Sequence, residues 1–440
     1  MSYVGIVVFT RIMDQGNYGE YSTYYAYVSI LTVLIGGNLY YTLNNAYIER
    51  KKEIKQFCKS TLALSTIIMM IVSLVLFLLG KVILKRFSSF EIIMAIFHSY
   101  GFFVISYKVF SSNMENDYKT KRWLLLLPNT LQFLLALLFI SIFPQTSYKA
   151  RIAGSTLGIC IIAITVYFRI MSAEGRLYNP EYWKYAISIA FPTIIMSLSF
   201  MLMQQCDRVM ISNLCGSEDT AVYSVIYYIG YAVVAVDQAA APVRQAWIFR
   251  SLDSGRTSET RKVQKWYLYV MTIMACILIM AGPEIVKILA PEKYWQFEYV
   301  IPFVLSACIM LLYRFYVEII LFFKSNTLLS LCVSLCAILN IGLNALFIPQ
   351  IGAIAACYTT VAAYGVLFLL TWILSIKHVK GLYSWSYFIF FILGLMIISF
   401  MYYILQGNIT ARYIALIIIL AIILMYGWHT RKEWRGILWG

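Results

Sequence analysis

Apolar runs long enough to cross a bilayer follow one another along the chain, with short polar breaks between them. A helix needs roughly 20 apolar residues to span the hydrocarbon, so each run predicts a transmembrane helix. We predict helices at about 22–47, 60–84, 90–111, 122–143, 150–172, 184–206, 221–247, 266–290, 298–322, 327–348, 352–376, 384–405 and 410–428. With a short apolar stub at about 1–12, this makes about fourteen helices, the first one truncated, in an all-α polytopic membrane protein.

The composition supports a membrane protein and excludes other classes. Of the 440 residues, 61% are hydrophobic and 12% are charged, which is more apolar surface than a soluble domain of this size can hide. The net charge is +15, but the basic residues lie in short gaps between apolar runs and form no separate domain for nucleic acid. No pair of the nine cysteines has the spacing of zinc ligands. We expect no metal or other cofactor. We also expect free thiols at Cys206 and Cys215 rather than a disulfide.

The distribution of Lys and Arg between alternate connections predicts the orientation in the membrane. About 24 of the 35 basic residues fall on one side of the predicted helices and about 10 on the other. Because cytoplasmic loops carry the excess of positive charge, both termini are predicted in the cytoplasm. The C-terminal tail contributes Arg431, Lys432 and Arg435 to that excess.

Two halves of the chain repeat short segments in the same order. Arg11-Ile12-Met13 and Gly19-Glu20-Tyr21-Ser22 match Arg208-Val209-Met210 and Ala221-Val222-Tyr223-Ser224, and Ala46 to Arg50 matches Ala246 to Arg250. An even number of predicted helices separates the copies, and such parallel repeats place a substrate path between two bundles. We therefore expect an N-terminal lobe at 1–172, a C-terminal lobe at 184–376 and two appended helices at 384–428. The partner of the short first helix is of full length, so we expect that this chain begins late.

Three segments resemble one transporter family. They are Arg11 to Ser22 with its Tyr18-Gly19 step; Phe191-Pro192 followed by Asp207-Arg208-Val209-Met210-Ile211-Ser212; and Asn340 to Pro349 with Gly352-Ala353. Together they resemble the polysaccharide transporter branch of the multidrug/oligosaccharidyl-lipid/polysaccharide exporter superfamily, which includes O-antigen and capsule flippases. The resemblance implies two six-helix lobes, usually with two further helices, and alternating access.

The resemblance also implies a substrate and a location. The substrate would be a polyprenyl-pyrophosphate-linked oligosaccharide, moved from the cytoplasmic to the periplasmic leaflet of the bacterial inner membrane. Membrane lipids and the polysaccharide polymerase machinery are the other partners expected, and nucleic acid is not. A lipid-linked peptidoglycan precursor flippase and a multidrug exporter of the same superfamily remain alternatives. An enzyme is not expected, because the predicted loops are short and His98, His378 and His429 are the only histidines.

Arginines are the natural candidates for binding a pyrophosphate inside the membrane, since their planar guanidinium donates hydrogen bonds in pairs. Arg314 lies within a predicted helix, although Glu318 one turn further on could simply neutralise it. Arg208 lies at a predicted helix end and could serve the periplasmic mouth or fix a loop. Arg244 and Arg250 end another predicted helix and could bind the pyrophosphate or act as cytoplasmic anchors.

Two further polar residues fall within predicted helices. Asp237 could bind a coupling H+ or Na+, as could Glu318, or Asp237 could pair with an arginine from another helix. His98 is expected to be a packed, hydrogen-bonded residue rather than a functional one.

Overall fold

A computed structural model of the protein describes residues 3–83, 87–255 and 257–429. The described residues form sixteen α-helices and no strand. In chain order the helices are α1 (Tyr3–Ile12), α2 (Gln15–Gly36), α3 (Thr42–Glu49), α4 (Ile54–Ile83), α5 (Ser89–Met114), α6 (Tyr118–Ile142), α7 (Ser147–Met171), α8 (Pro180–Leu214), α9 (Ser217–Asp253), α10 (Thr257–Met280), α11 (Gly282–Leu289), α12 (Val300–Phe322), α13 (Asn326–Ile351), α14 (Ile354–Ile376), α15 (Trp385–Leu405) and α16 (Ile409–His429). The tail residues Arg431, Lys432 and Arg435 lie outside the described part of the chain.

Within the described residues, twelve helices are long and apolar enough to cross a membrane. A thirteenth span forms if α2 and the segment Leu39–Glu49, which meet at an angle of 56°, are taken together. The short apolar helix α1 precedes them. These elements confirm the predicted all-α polytopic membrane fold.

The predicted continuous helix at 22–47 is wrong, because the chain breaks between α2 and α3. Gly37 and Asn38 have φ angles of +54° and +52°, in the left-handed region, and a single 3₁₀ turn at Leu39–Tyr41 follows. Glycine adopts this conformation without a steric penalty, and asparagine tolerates it better than most residues do. The local chemistry of Gly37-Asn38 therefore outweighs the apolar character of the run.

Two other predicted boundaries need correction. The predicted helix at 266–290 is two helices, α10 and α11, because Pro283 stands in the first turn of α11, where its missing N–H group costs nothing. The helix predicted at 184–206 extends over Pro180–Leu214. Arg208 therefore lies inside α8 and not at a helix end.

The chain divides into two compact units, with the boundary after Ala221. In the first unit α7 packs against α5 and α6, while α2 packs against α5 and α8. In the second unit α14 packs against α12 and α13, and α10 packs against α15. All nine cysteines are free thiols.

Candidate functional site

Four of the predicted site residues meet inside the C-terminal unit, and we call them the charge cluster: Asp237 and Arg244 of α9, with Arg314 and Glu318 of α12. Residues four or seven apart lie on the same face of an α-helix, so each helix presents its acid and its arginine together. Two carboxylates and two guanidiniums make the ionised cluster neutral. Neutrality reduces the cost of placing four charges within spanning helices.

Asp237 is the centre of the charge cluster, and its side chain is fully buried. One carboxylate oxygen accepts hydrogen bonds from Arg244 and from the phenol of Tyr267 on α10. The other oxygen accepts from Arg314. Asp237 is thus paired with an arginine from another helix, and three helices converge on one carboxylate.

Arg244 bridges the two acids of the cluster. Its Nη1 group donates to Asp237, and its Nε group donates to Glu318 Oε1 at 2.9 Å. The guanidinium carbon also lies 4.9 Å from the ring centre of Tyr267 and 5.7 Å from that of Phe315, so two aromatic rings cover the cation. Arg244 is buried within the last third of α9, about two turns before the helix ends at Asp253.

Arg314 is the arginine of the cluster that remains accessible. Its side chain is 17% exposed, against 4% for Arg244. The expected pair with Glu318 is not formed, since Glu318 binds Arg244 and Arg314 binds Asp237. The buried Nε atom of Arg314 and the buried Oε2 atom of Glu318 have no hydrogen-bond partner. Arg314 therefore keeps donor capacity that the protein does not use.

Tyr383, in the connection before α15, covers the cluster on the side of α12. Its hydroxyl group donates to the carbonyl oxygen of Phe315 at 3.3 Å. Burial and the nearby Glu318 carboxylate raise the pKa of the Tyr383 phenol well above its usual value. The phenol is therefore neutral at physiological pH and adds no charge to the cluster.

The other two predicted arginines do not join the charge cluster. Arg208 belongs to the N-terminal unit, where it is buried and donates to the carbonyl oxygen of Gln204 and the side chain of Gln205, both at 3.0 Å. Arg250 lies in the last turn of α9 and is exposed. Six residues separate it from Arg244, which places the two side chains on different faces of the helix.

One buried arginine of the N-terminal unit was not among the predicted site residues. Arg151, in the second turn of α7, is 1% exposed, and its guanidinium carbon lies 3.9 Å from the ring centre of Phe9 and 3.8 Å from that of Tyr21. Its position beside a polar connection gave no reason to expect burial. The signal available in the sequence was Ser155 one turn further on, which together with Arg151 makes a polar helix face.

His98 is packed and hydrogen-bonded, as predicted. Its Nε2 atom lies 3.2 Å from the side-chain oxygen of Gln132, while Nδ1 lies 3.3 Å from the hydroxyl groups of Tyr24 and Thr156. Because the Gln132 oxygen can only accept, Nε2 carries the proton and Nδ1 accepts.

The profile of the family described as "Polysaccharide biosynthesis protein" matches residues 1–249, more than half of the chain. No curated protein sequence matches the chain. Among solved structures, the fold is similar to that of the lipid II flippase MurJ in an inward closed conformation, with a TM-score of 0.67 and 14% identity. That similarity covers 98% of this chain and 99% of MurJ.

Two other transporter structures share the fold at lower similarity. The Vibrio cholerae MATE transporter VcmN has a TM-score of 0.56 and 14% identity, over 88% of this chain and 93% of its own. A MOP superfamily transporter from Pyrococcus furiosus has a TM-score of 0.55 and 12% identity, over 86% and 91%. At such identities the similarity concerns the fold. Because the family profile matches more than half of the chain, the chain belongs to the polysaccharide biosynthesis protein family of the MOP exporter superfamily. It is a multi-pass membrane transporter, a flippase or exporter.

Proposed function

We propose that this protein flips a polyprenyl-pyrophosphate-linked oligosaccharide, such as an O-antigen, capsule or exopolysaccharide unit, across the bacterial inner membrane. The match of residues 1–249 to the polysaccharide biosynthesis family carries this proposal. Transport runs from the cytoplasmic to the periplasmic leaflet by alternating access between the lobes 1–172 and 184–376, with the helices at 384–428 appended. Both termini lie in the cytoplasm, in keeping with the excess of basic residues on that side.

The pyrophosphate is the part of this substrate that resists transfer, because an uncompensated charge at the bilayer centre costs at least about 2.5–3.5 kcal/mol. Arg314 is suited to offset that cost. It is partly accessible, it belongs to a spanning helix, and its buried Nε donor has no partner. We assign Arg314 the first contact with the pyrophosphate, and Asp237 the task of holding the guanidinium in place before the substrate arrives.

The remaining arginines take lesser parts in the proposal. Arg244 positions both carboxylates of the charge cluster, and the exposed Arg250 guides the anionic substrate from the cytoplasmic face. Arg208, which is buried within α8, makes no contact with the substrate in this proposal. Coupling to a H+ or Na+ gradient would act through Asp237 or Glu318, whose protonation state sets the net charge around Arg314. The polysaccharide polymerase machinery would receive the product.

A second candidate is flipping of a lipid-linked peptidoglycan precursor, which carries the same pyrophosphate. The similarity to a lipid II flippase over nearly the whole chain favours it. A multidrug exporter is a weaker candidate, because the charge cluster supplies an accessible cation and keeps Asp237 buried, whereas a cationic drug needs an accessible acid.

The test is a reconstituted flipping assay. Purified protein is placed in liposomes whose lipid-linked oligosaccharide begins in one leaflet, and a membrane-impermeant glycosidase reports its appearance in the other. We expect exposure to depend on the protein, to fall at least about tenfold for Arg314→Ala, and to be unchanged for Arg169→Ala, an exposed arginine at the end of α7.

Each alternative has its own outcome in that assay. Flipping of lipid II but of no lipid-linked oligosaccharide would assign the protein to peptidoglycan precursors. Export of a small organic cation without flipping of either lipid would overturn the proposal in favour of drug export. Equal rates for Arg314→Ala and Arg169→Ala would leave flipping intact and remove Arg314 from the path.

A further inference from the structure

A polar cavity lies wholly within the N-terminal unit, beside Arg151. Five helices form its walls, and the polar side chains that line it include Arg151, Ser155, Gln132, Tyr21 and Tyr25. Its volume is about 60 Å³, several times the roughly 10–15 Å³ that one water molecule occupies in a cavity. We propose that this cavity binds one phosphate-sized anionic group.

The guanidinium of Arg151 is held rigidly at the wall of the cavity. The rings of Phe9 and Tyr21 lie within 4 Å of its central carbon, and Tyr18 lies 5.1 Å away. Rings that pack on a guanidinium restrict its motion, while its N–H groups point outward in its own plane. One of these, Nη1, lies 3.5 Å from the sulfur of Met13, which is a weak acceptor.

The neutral groups of the cavity are oriented as donors. Tyr21 donates its hydroxyl proton to Ser155 Oγ at 3.1 Å, which leaves the Ser155 proton to point elsewhere. Gln132 uses its oxygen to accept from His98, so its amide nitrogen carries the remaining protons. His98 thereby fixes the direction in which the Gln132 amide faces.

The side chains that line the cavity determine which sign of charge it favours in a bound group. None of the described side chains that line the cavity is a carboxylate. A buried guanidinium with a hydroxyl and an amide donor favours an anion and disfavours a cation. The bound group could be free inorganic phosphate or a phosphate of the lipid-linked substrate; the second source rests on the proposed function, whereas the binding chemistry does not.

Equilibrium dialysis of the purified protein against radiolabelled inorganic phosphate tests the cavity. Because Arg314 is proposed to bind pyrophosphate, all variants are compared in an Arg314→Ala background as well as in the intact chain. We expect saturable binding of one phosphate that survives Arg314→Ala and is weakened at least about tenfold by Arg151→Gln. Lys149→Gln, a change of charge on the same helix turn, should bind phosphate as the parent does.

Arg151→Lys provides a second variant in case Arg151→Gln does not fold. It retains a positive charge beside the aromatic rings but loses the planar set of donors, so we expect a severalfold weaker affinity in a folded protein. A purely structural Arg151 predicts a lower melting temperature for Arg151→Gln, with no saturable phosphate binding to the parent in the Arg314→Ala background. That result, with flipping intact, would overturn the cavity proposal and leave the proposed function standing.

A competition experiment identifies the source of the anion. In the Arg314→Ala background, displacement of labelled phosphate by a short-chain prenyl pyrophosphate would assign the cavity to the lipid-linked substrate. Retention of the label at saturating prenyl pyrophosphate would assign it to free phosphate. Both outcomes support anion binding, whereas loss of binding in Lys149→Gln but not in Arg151→Gln contradicts it.

Discussion

Asp237 and Arg314 are separated by 77 residues in the chain and form an ion pair between α9 and α12. The carboxylate is fully buried, while the Arg314 side chain remains 17% exposed. A substrate phosphate that reaches Arg314 would therefore compete with a carboxylate already bound to it. Under the proposed function, the pair holds the arginine in position before the substrate binds and keeps the ionised cluster neutral.

The Asp237–Arg314 pair makes a prediction about stability. Asp237→Ala leaves Arg244 and Arg314 facing each other without their shared carboxylate, and we expect a loss of about 3–5 kcal/mol. In the double variant Asp237→Ala/Arg314→Ala, the loss of stability should be smaller than the sum of the two single losses by about 0.5–3 kcal/mol. Chemical denaturation in detergent, followed by tryptophan fluorescence, measures both quantities. Strict additivity of the two single changes would show that the pair is not formed in solution.

The two arginines of the cluster should fail in different ways when each is replaced by lysine. Arg244 donates to two carboxylates and packs on Tyr267 and Phe315, so Arg244→Lys should lower the melting temperature. Arg314→Lys keeps a charge near Asp237 but loses the planar fork, so it should leave the melting temperature nearly unchanged and slow flipping about tenfold or more. Comparison of melting temperature with flipping rate for the two variants is the measurement. The opposite pattern would exchange the roles assigned to them.

The helices could be predicted from the sequence because membrane spans must satisfy their backbone hydrogen bonds internally and face lipid with apolar side chains. Because both requirements apply within a single helix, each apolar run can be assigned to a helix without knowledge of the rest of the fold. The break at Gly37-Asn38 was missed because both residues lie inside an apolar run, although a glycine followed by asparagine is itself a turn signal.

The composition of the charge cluster was partly predictable, but its pairing was not. Arg314, Asp237, Arg244 and Glu318 stand out as polar residues in apolar runs. The choice of Asp237 over Glu318 as partner of Arg314 depends on how α9 packs beside α12, and helical spacing alone favours the wrong pair. Arg151 was missed for a related reason, because burial near a helix end depends on neighbouring helices such as α1 and α2, which supply Phe9 and Tyr21.

We expect the Asn38 side chain to connect the break between α2 and α3 to helix α8 through hydrogen bonds. Its side-chain nitrogen donates to the carbonyl oxygen of Thr193 at 3.1 Å and to Ser197 Oγ at 2.8 Å. Asn38→Gly keeps the left-handed backbone accessible and removes only these bonds, at a cost of about 1–3 kcal/mol. Asn38→Ala adds the left-handed strain of about 1–2 kcal/mol.

The denaturation midpoints of the two Asn38 variants separate the contribution of the hydrogen bonds from that of the backbone conformation. We expect the order parent, Asn38→Gly, Asn38→Ala from most to least stable. If Asn38→Gly is as stable as the parent, the hydrogen bonds to α8 contribute nothing and only the backbone conformation matters.

Gly154 and Gly158 of α7 allow the backbone of α6 to approach closely. A Cβ atom at Gly154 would lie 2.4 Å from the carbonyl oxygen of Leu135, and one at Gly158 would lie 2.5 Å from the backbone nitrogen of Gln132. Because backbone atoms cannot move aside cheaply, Gly158→Ala should destabilise the N-terminal unit by about 1–3 kcal/mol. Gly365→Ala is the control, since no atom lies within 4 Å of the added methyl group. Equal melting temperatures for the two variants would refute the close packing.

Arg412 should fasten α16 to the rest of the C-terminal unit. Its side chain is 3% exposed, and its guanidinium donates to the carboxylate of Glu284 on α11, with the Tyr402 and Tyr413 rings 5.8 and 5.9 Å away. Arg412→Gln removes the charge that compensates Glu284, and we expect a loss of roughly 1–3 kcal/mol. The loss should be local, because α16 follows a short turn that can open on its own. Limited proteolysis at that turn should therefore accelerate in Arg412→Gln and in Glu284→Gln, and in the double variant no further than in either alone. Acceleration that adds across the two sites would mean that Arg412 and Glu284 stabilise α16 independently.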